Sequence, residues 1–155
     1  MDDLGAFIGV IVAFAAAALI AFSRPPKSPP PGTALTGLAT LGLQTAHFLE
    51  ELGTGFYIRF PELLGFDPWT YEFFVVFNAA WILIWLASLW ALEIAPTAAG
   101  WMLWFLALAG VLNGLAHPAL ALATGGYFPG LVTSPVLGVC GFLFARKLWL
   151  AGLRT

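Results

Sequence analysis

The chain has 155 residues, of which 61% are hydrophobic and only 9% are charged. Soluble domains carry about 25% charged residues, so this composition excludes an ordinary soluble domain and indicates an integral membrane protein. A net charge of −2 without any basic cluster gives no reason to expect a nucleic-acid partner. Cys140 stands alone in an apolar segment, which excludes both a disulfide framework and a cysteine-based metal site.

Five apolar segments follow one another, each long enough to cross about 30 Å of hydrocarbon. We therefore predict an all-α integral membrane bundle with five transmembrane helices. The segments run from about Leu4 to Phe22, Thr33 to Glu51, Tyr71 to Leu92, Thr97 to Thr124 and Pro129 to Leu150.

A proline-rich stretch from Ser23 to Gly32 follows the first segment and predicts a stiff linker. Residues 1–32 then form a first transmembrane helix with its linker, and residues 33–155 form a four-helix membrane domain. The acidic start of the chain and the lack of a small-x-small cleavage site favour a retained span over a cleaved signal peptide.

The basic residues predict the orientation of the bundle. With five spans and the amino terminus outside, only Arg59 falls outside and five basic residues fall inside. The inside residues are Arg24, Lys27, Arg146, Lys147 and Arg154. Between the second and third segments, residues 52–70 are rich in glycine, proline and aromatic residues, which favours an interfacial loop or a short re-entrant piece.

The most informative motif is His47-Phe48-Leu49-Glu50-Glu51 at the end of the second segment. At about 100° per residue, His47, Glu50 and Glu51 fall on one face of a helix. Ionisable groups at membrane depth are costly and usually mark functional sites. We therefore interpret this face as part of a site.

A second motif, Asn113-x-x-x-His117, presents two polar side chains four residues apart on the fourth segment. The second and fourth segments run parallel, and both histidines lie toward the same ends. We expect His47, Glu50, Glu51, Asn113 and His117 to meet in one pocket in the outer half of the membrane. The alternative is that such side chains only form hydrogen bonds between helices and have no further function.

Together with Tyr127-x-Pro129-Gly130-x-x-Thr133, these motifs resemble the HXXEE domain family of small multi-spanning bacterial membrane proteins. The resemblance extends from about Thr33 to Leu150. It implies a bacterial cytoplasmic membrane, and it adds Tyr127 and Thr133 to Asn113 as residues that bind or orient a cofactor. It implies no activity, because the family is uncharacterised.

Chemistry allows two uses of the site. Imidazole with carboxylate suits a divalent metal, zinc or iron, and we predict His47, Glu50, Glu51 and His117 as both ligands and catalytic residues. Without a metal, two adjacent carboxylates in a poorly solvated site would share a proton and act as an acid and a base.

Three functions follow from these uses. The first is a membrane-embedded enzyme with an outer-leaflet site, a metal-dependent hydrolase or an acid/base isomerase, acting on an apolar or amphiphilic, lipid-like substrate. The second is a small metal-ion or proton transporter. The third is an accessory subunit of a larger membrane complex, with partner subunits as well as membrane lipids around it.

Overall fold

The structure is a computed structural model that describes residues 8–23 and 31–153. These residues form six α-helices and contain no β-strand, which confirms the all-α prediction for the described part of the chain. The helices are α1 (Ile8–Ser23), α2 (Thr33–Thr54), α3 (Phe56–Leu63), α4 (Tyr71–Ala91), α5 (Pro96–Thr124) and α6 (Ser134–Leu153). The first seven residues, most of the predicted linker with Arg24 and Lys27, and the last two residues with Arg154 lie outside the description.

Within the described ranges, three helices are long and apolar enough to cross a membrane: α4, α5 and α6. Helix α1 is apolar but has 16 described residues. Helix α2 has 22 residues and is less hydrophobic, because it carries an amide, an imidazole and two carboxylates. The structure thus supports a helical membrane protein in which α4, α5 and α6 could span the membrane by length and composition. That α1 and α2 also span the membrane stays a prediction.

Within the described residues, the predicted segments match the helices closely except at two places, and the predicted start of the first segment at Leu4 lies outside the described residues. Helix α6 begins at Ser134 instead of Pro129, because Gly130 has a φ of +87° and the chain turns there. Residues 125–133, here called the α5–α6 loop, therefore lie outside the helices. Residues 52–70 contain the two-turn helix α3, which is separated from α2 by Gly55 with a φ of +80°.

Helix α5 forms the centre of the bundle and packs closely against α6. A Cβ on Gly114 would lie 2.6 Å from the Cα of Gly138, and one on Gly141 would lie 2.7 Å from the carbonyl oxygen of Ala107. Only glycine allows backbones to approach this closely, as in the small-residue interfaces of membrane helices. Helices α1 and α4 cover other faces of α5.

Helix α2 packs against α4 and α6 and also touches α5. Phe48, late in α2, contacts Phe74, early in α4, with ring centroids 5.7 Å apart. A Cβ on Gly37, early in α2, would lie 2.5 Å from Leu89, late in α4. These two contacts show that α2 and α4 run antiparallel and fix which of their residues lie level.

Candidate metal centre

His47 and Glu51 on α2 meet His117 on α5 in a buried group, here called the His–Glu cluster. The three residues are 0%, 7% and 2% exposed, respectively. Glu51 Oε1 lies 3.4 Å from Nε2 of His47 and 3.3 Å from Nε2 of His117. The two imidazole rings are nearly perpendicular, with centroids 4.6 Å apart. The two motifs, 70 residues apart in sequence, are therefore joined in space.

Helix periodicity and depth explain this meeting. His47 and Glu51 are four residues apart, so they lie one above the other on the same face of α2. His47 lies seven residues before Thr54 and His117 seven residues before Thr124, at the ends of α2 and α5. At 1.5 Å per residue, both rings lie about 10 Å below their helix ends.

The ring of His117 is oriented by the α5–α6 loop. Its Nδ1 lies 2.6 Å from the carbonyl oxygen of Pro129. A carbonyl oxygen only accepts hydrogen bonds, so we assign the proton to Nδ1, which donates it. In the neutral ring, Nε2 then carries a lone pair, and this lone pair faces Glu51.

The ring of His47 is oriented through Thr133. The Thr133 hydroxyl donates to Glu50 Oε2 over 2.6 Å, which uses its only hydrogen. His47 Nδ1 lies 2.8 Å from the same hydroxyl oxygen and must therefore be the donor. The Nε2 atom of His47 thus also presents a lone pair to Glu51, and this buried atom has no hydrogen-bond partner in the described part of the chain.

The His–Glu cluster therefore directs three electron-pair donors at one another. Their atoms all lie within 4.8 Å of one another. Buried lone pairs and a buried carboxylate are costly unless a cation or a proton lies between them. Two imidazoles and one carboxylate, each imidazole donating its other N–H to an oxygen, are the ligands and the outer hydrogen bonds of a metal site. The residues present fit a divalent metal.

Glu50 is directed away from this cluster and toward the α5–α6 loop. Its carboxylate accepts hydrogen bonds from the backbone N–H groups of Val132 and Thr133 at 3.0 and 2.9 Å, and from the Tyr127 hydroxyl at 2.7 Å. The structure thus brings together three of the four predicted metal ligands. Glu50 instead orients the loop, and through Thr133 it orients His47.

Tyr127 and Thr133, predicted to bind or orient a cofactor, both bond to Glu50 and lie outside the three-donor group. Burial raises the pKa of the Tyr127 hydroxyl, and the Glu50 carboxylate that accepts its hydrogen bond raises this pKa further. Tyr127 therefore stays protonated and remains a donor. Both residues act on the cluster indirectly.

The sequence did not reveal the role of Gly130, although Gly130 belongs to the motif Tyr127-x-Pro129-Gly130-x-x-Thr133. A Cβ at this position would lie 2.5 Å from His117 Cε1 and 2.7 Å from His47 Cε1. Its φ of +87° is also unfavourable for any other residue. Gly130 lets the loop backbone lie directly against both imidazole rings.

An apolar cavity of about 410 Å³ opens beside the cluster, and Glu51 and His117 form part of its wall. Polar wall residues are few, and they include Gln44, Asn78 and the predicted site residue Asn113. Most of the wall is aromatic: Phe56, Phe60, Trp69, Phe73, Phe74, Phe77, Trp81, Trp85 and Phe105. Pockets of this size and character hold small, largely apolar ligands. The sequence did not indicate the cavity.

Helix α3 lies across the cluster end of this cavity. The ring of Phe56 lies 5.4 Å from that of His117 and stacks on Phe60 at 4.8 Å. Arg59 ties α3 to the α5–α6 loop, with its guanidinium 5.3 Å from the Phe128 ring and a hydrogen bond of 3.3 Å to the Tyr127 carbonyl. The segment predicted as a loop or re-entrant piece thus shields the site.

Residues 38–145 match a family described as proteins of unknown function with an HXXEE motif. The match spans more than half of the chain and contains the whole His–Glu cluster and the α5–α6 loop. The chain belongs to the HXXEE family. The family's motif is His47-x-x-Glu50-Glu51, so two of its three defining residues belong to the cluster and the third holds the loop. Neither the comparison with curated proteins nor that with solved structures finds a match.

Proposed function

We propose that this HXXEE protein is a membrane-embedded, metal-dependent enzyme that acts on an apolar or amphiphilic substrate. One observation carries the proposal: three electron-pair donors converge in the wall of an apolar, aromatic cavity. Strongly polar groups in such a cavity are few and costly, which is typical of a site built for chemistry on a hydrophobic molecule.

The donor set favours zinc or iron. Catalytic zinc sites commonly hold three protein ligands, including sets of two histidines and one glutamate, and leave one position open. When bound, such a metal polarises a carbonyl or phosphoryl group and activates a water. His47, Glu51 and His117 would hold it, and Glu51 and His117 line the cavity from which a substrate would approach.

The other site residues would orient the ligands of this centre or contact its substrate. Glu50 and Thr133 hold His47 in the tautomer that presents Nε2, and the carbonyl of Pro129 does the same for His117. Asn113, on the cavity wall one turn before His117, is suited to orient a substrate or a water. The aromatic wall would exclude bulk water and bind the apolar part of the substrate.

The membrane arrangement is part of the proposal. We propose five spans in the bacterial cytoplasmic membrane, with the amino terminus outside and the site in the outer half. The apolar composition of α1, the 22-residue length of α2 and the distribution of basic residues support two spans in addition to α4, α5 and α6. A substrate would then reach the cavity from the outer leaflet.

A transporter is less well supported. Beyond the cluster, the cavity wall continues with Trp81, Trp85 and Phe105, whose rings offer few ligands to a translocated ion. The acid/base alternative uses the same residues, with a proton shared by Glu51 and the imidazoles in place of a metal.

Metal analysis separates these possibilities. Purified protein should carry near-stoichiometric zinc or iron by elemental mass spectrometry, and Glu51→Ala or His117→Ala should lose it. Glu72→Ala is the matched control, because Glu72 is an exposed carboxylate early in α4. Metal-free wild-type protein with an ordered cluster would contradict the metal and favour the acid/base use.

A second experiment tests the enzyme itself. Metal-loaded protein in nanodiscs is incubated with a total bacterial lipid extract, and the lipids are compared by mass spectrometry with those treated with Glu51→Gln. The proposal expects lipid species that only the wild type consumes. An unchanged extract, together with metal flux into proteoliposomes, would support the transporter instead.

A further inference from the structure

Two buried polar atoms in the cavity wall have no hydrogen-bond partner among the described residues: Oε1 of Gln44 and Nε1 of Trp85. The two residues are only 6% and 5% exposed, and both line the cavity. Buried polar groups in native proteins are nearly always paired, because an unpaired one forfeits its bonds to water. Two such atoms in one apolar cavity indicate that a ligand supplies their partners.

These atoms lie deeper than the His–Glu cluster. Gln44 lies three residues before His47 and seven before Glu51 on α2, which is about 5 and 10 Å along the helix. The contacts of Phe48 with Phe74 and of Gly37 with Leu89 place Trp85 about one to two helical turns beyond Gln44. Both side chains therefore lie on the side of the cavity away from the end covered by α3.

The two atoms have complementary hydrogen-bonding roles. An indole N–H only donates, and an amide oxygen only accepts. A hydroxyl group can satisfy both at once, because its oxygen accepts and its hydrogen is donated. An ether or a ketone would serve Trp85 alone.

We propose that Gln44 and Trp85 form a hydroxyl-binding subsite for an apolar ligand whose other end reaches the His–Glu cluster. As a statement about the substrate, this rests on the proposed function: the substrate would be a hydrophobic alcohol with its reacting group about 5–10 Å from its hydroxyl. As a statement about binding, it needs neither the metal nor a reaction.

The test uses naphthol, naphthalene and methoxynaphthalene as probes of nearly the same shape. Their binding to the full-length protein in nanodiscs is measured by naphthyl fluorescence and corrected for partition into empty nanodiscs. Naphthol should bind about tenfold more tightly than naphthalene, the effect expected for a buried hydrogen bond. Methoxynaphthalene, which cannot donate, should bind more weakly than naphthol.

Two variants, each of which removes one of the two polar groups, locate the effect. Gln44→Leu and Trp85→Phe should each remove most of the preference for naphthol while retaining binding of naphthalene, which also shows that the cavity is folded. Phe105→Leu is the control, because Phe105 lines the same cavity without a polar atom. It should weaken all three probes alike and leave the preference unchanged.

The measurements are repeated after removal of metal by a chelator. Retention of the preference for naphthol would support the subsite whether or not the protein binds metal, so the two proposals fail separately. Equal binding of naphthol and naphthalene by the wild type, or an unchanged preference in both Gln44→Leu and Trp85→Phe, would overturn the subsite.

Discussion

Replacement of Gly130 by alanine tests whether the α5–α6 loop holds the two histidines in place. The added Cβ would lie 2.5 Å from both Cε1 and Nδ1 of His117 and 2.7 Å from His47 Cε1. Both rings are almost fully buried and are fixed by hydrogen bonds through Nδ1, so they cannot move aside without losing those bonds. We expect a loss of both stability and metal binding.

The magnitude has two parts. A non-glycine residue with a left-handed backbone costs about 1–2 kcal/mol, and overpacking a filled site costs about 1–3 kcal/mol more. Gly130→Ala should therefore lower the free energy of unfolding by roughly 2–5 kcal/mol. Thermal or denaturant unfolding in detergent measures this change, and elemental analysis measures the bound metal.

Gly125→Ala is the matched control. Gly125 begins the same loop, has a φ of +73° and has no atom within 4 Å of a Cβ. It should show only the backbone part, about 1–2 kcal/mol, and keep its metal. If Gly130→Ala is no less stable than Gly125→Ala and binds metal equally well, the close packing of the loop on the histidines is refuted.

Two further substitutions test the supporting contacts. Thr133→Val removes the acceptor of His47 Nδ1 and should weaken metal affinity about 10–100-fold in a chelator competition, as for other residues that hydrogen-bond to metal ligands. Thr133→Ser keeps the hydroxyl and should retain the metal affinity. Equal affinities in the two variants would contradict this role of Thr133. Gly114→Ala places a Cβ 2.6 Å from Gly138 Cα and should destabilise the α5–α6 contact by about 1–3 kcal/mol in thermal unfolding. Gly42→Ala is the control, because Gly42 lies in α2 with no atom within 4 Å of a Cβ, and it should stabilise the protein by about 0.5–1 kcal/mol. An equal loss of stability in Gly114→Ala and Gly42→Ala would refute the packing argument.

Helix periodicity and depth were enough to predict the centre of the site. His47 and Glu51 lie one turn apart, and His117 lies at the same distance from the end of a parallel helix. These regularities are local, or they follow from the alternation of spans. The meeting of His47, Glu51 and His117 could therefore be predicted without knowledge of tertiary packing.

Periodicity did not reveal the different surroundings of Glu50 and Glu51. Both lie within about 60° of His47 on a helical projection, so they share a face by angle alone. The difference arises because the α5–α6 loop presents two backbone N–H groups and two hydroxyls to Glu50. A loop conformation that depends on a positive φ at Gly130 leaves no periodic signal in the sequence.

The sequence also did not predict the cavity. Its aromatic residues come from α3, α4, α5 and the segment between α3 and α4. Rings such as Trp85 and Phe105 look the same in sequence whether they fill a core or line a space. Residues 52–70 gave no helical pattern strong enough to predict α3, whose Phe56 covers His117. Side-chain packing between separate segments decides these features.

The two adjacent glutamates of the HXXEE motif have different but connected roles. Consecutive helical residues point about 100° apart, so a single turn of α2 can direct one carboxylate into the bundle and the other at the α5–α6 loop. The loop connects them again, because Thr133 accepts from His47 and donates to Glu50 while Pro129 accepts from His117. Glu51 would then supply the charge that holds a cation, and Glu50 would fix the geometry of the imidazoles around it. Because the two roles require carboxylates that point in different directions, we expect that neither glutamate can replace the other.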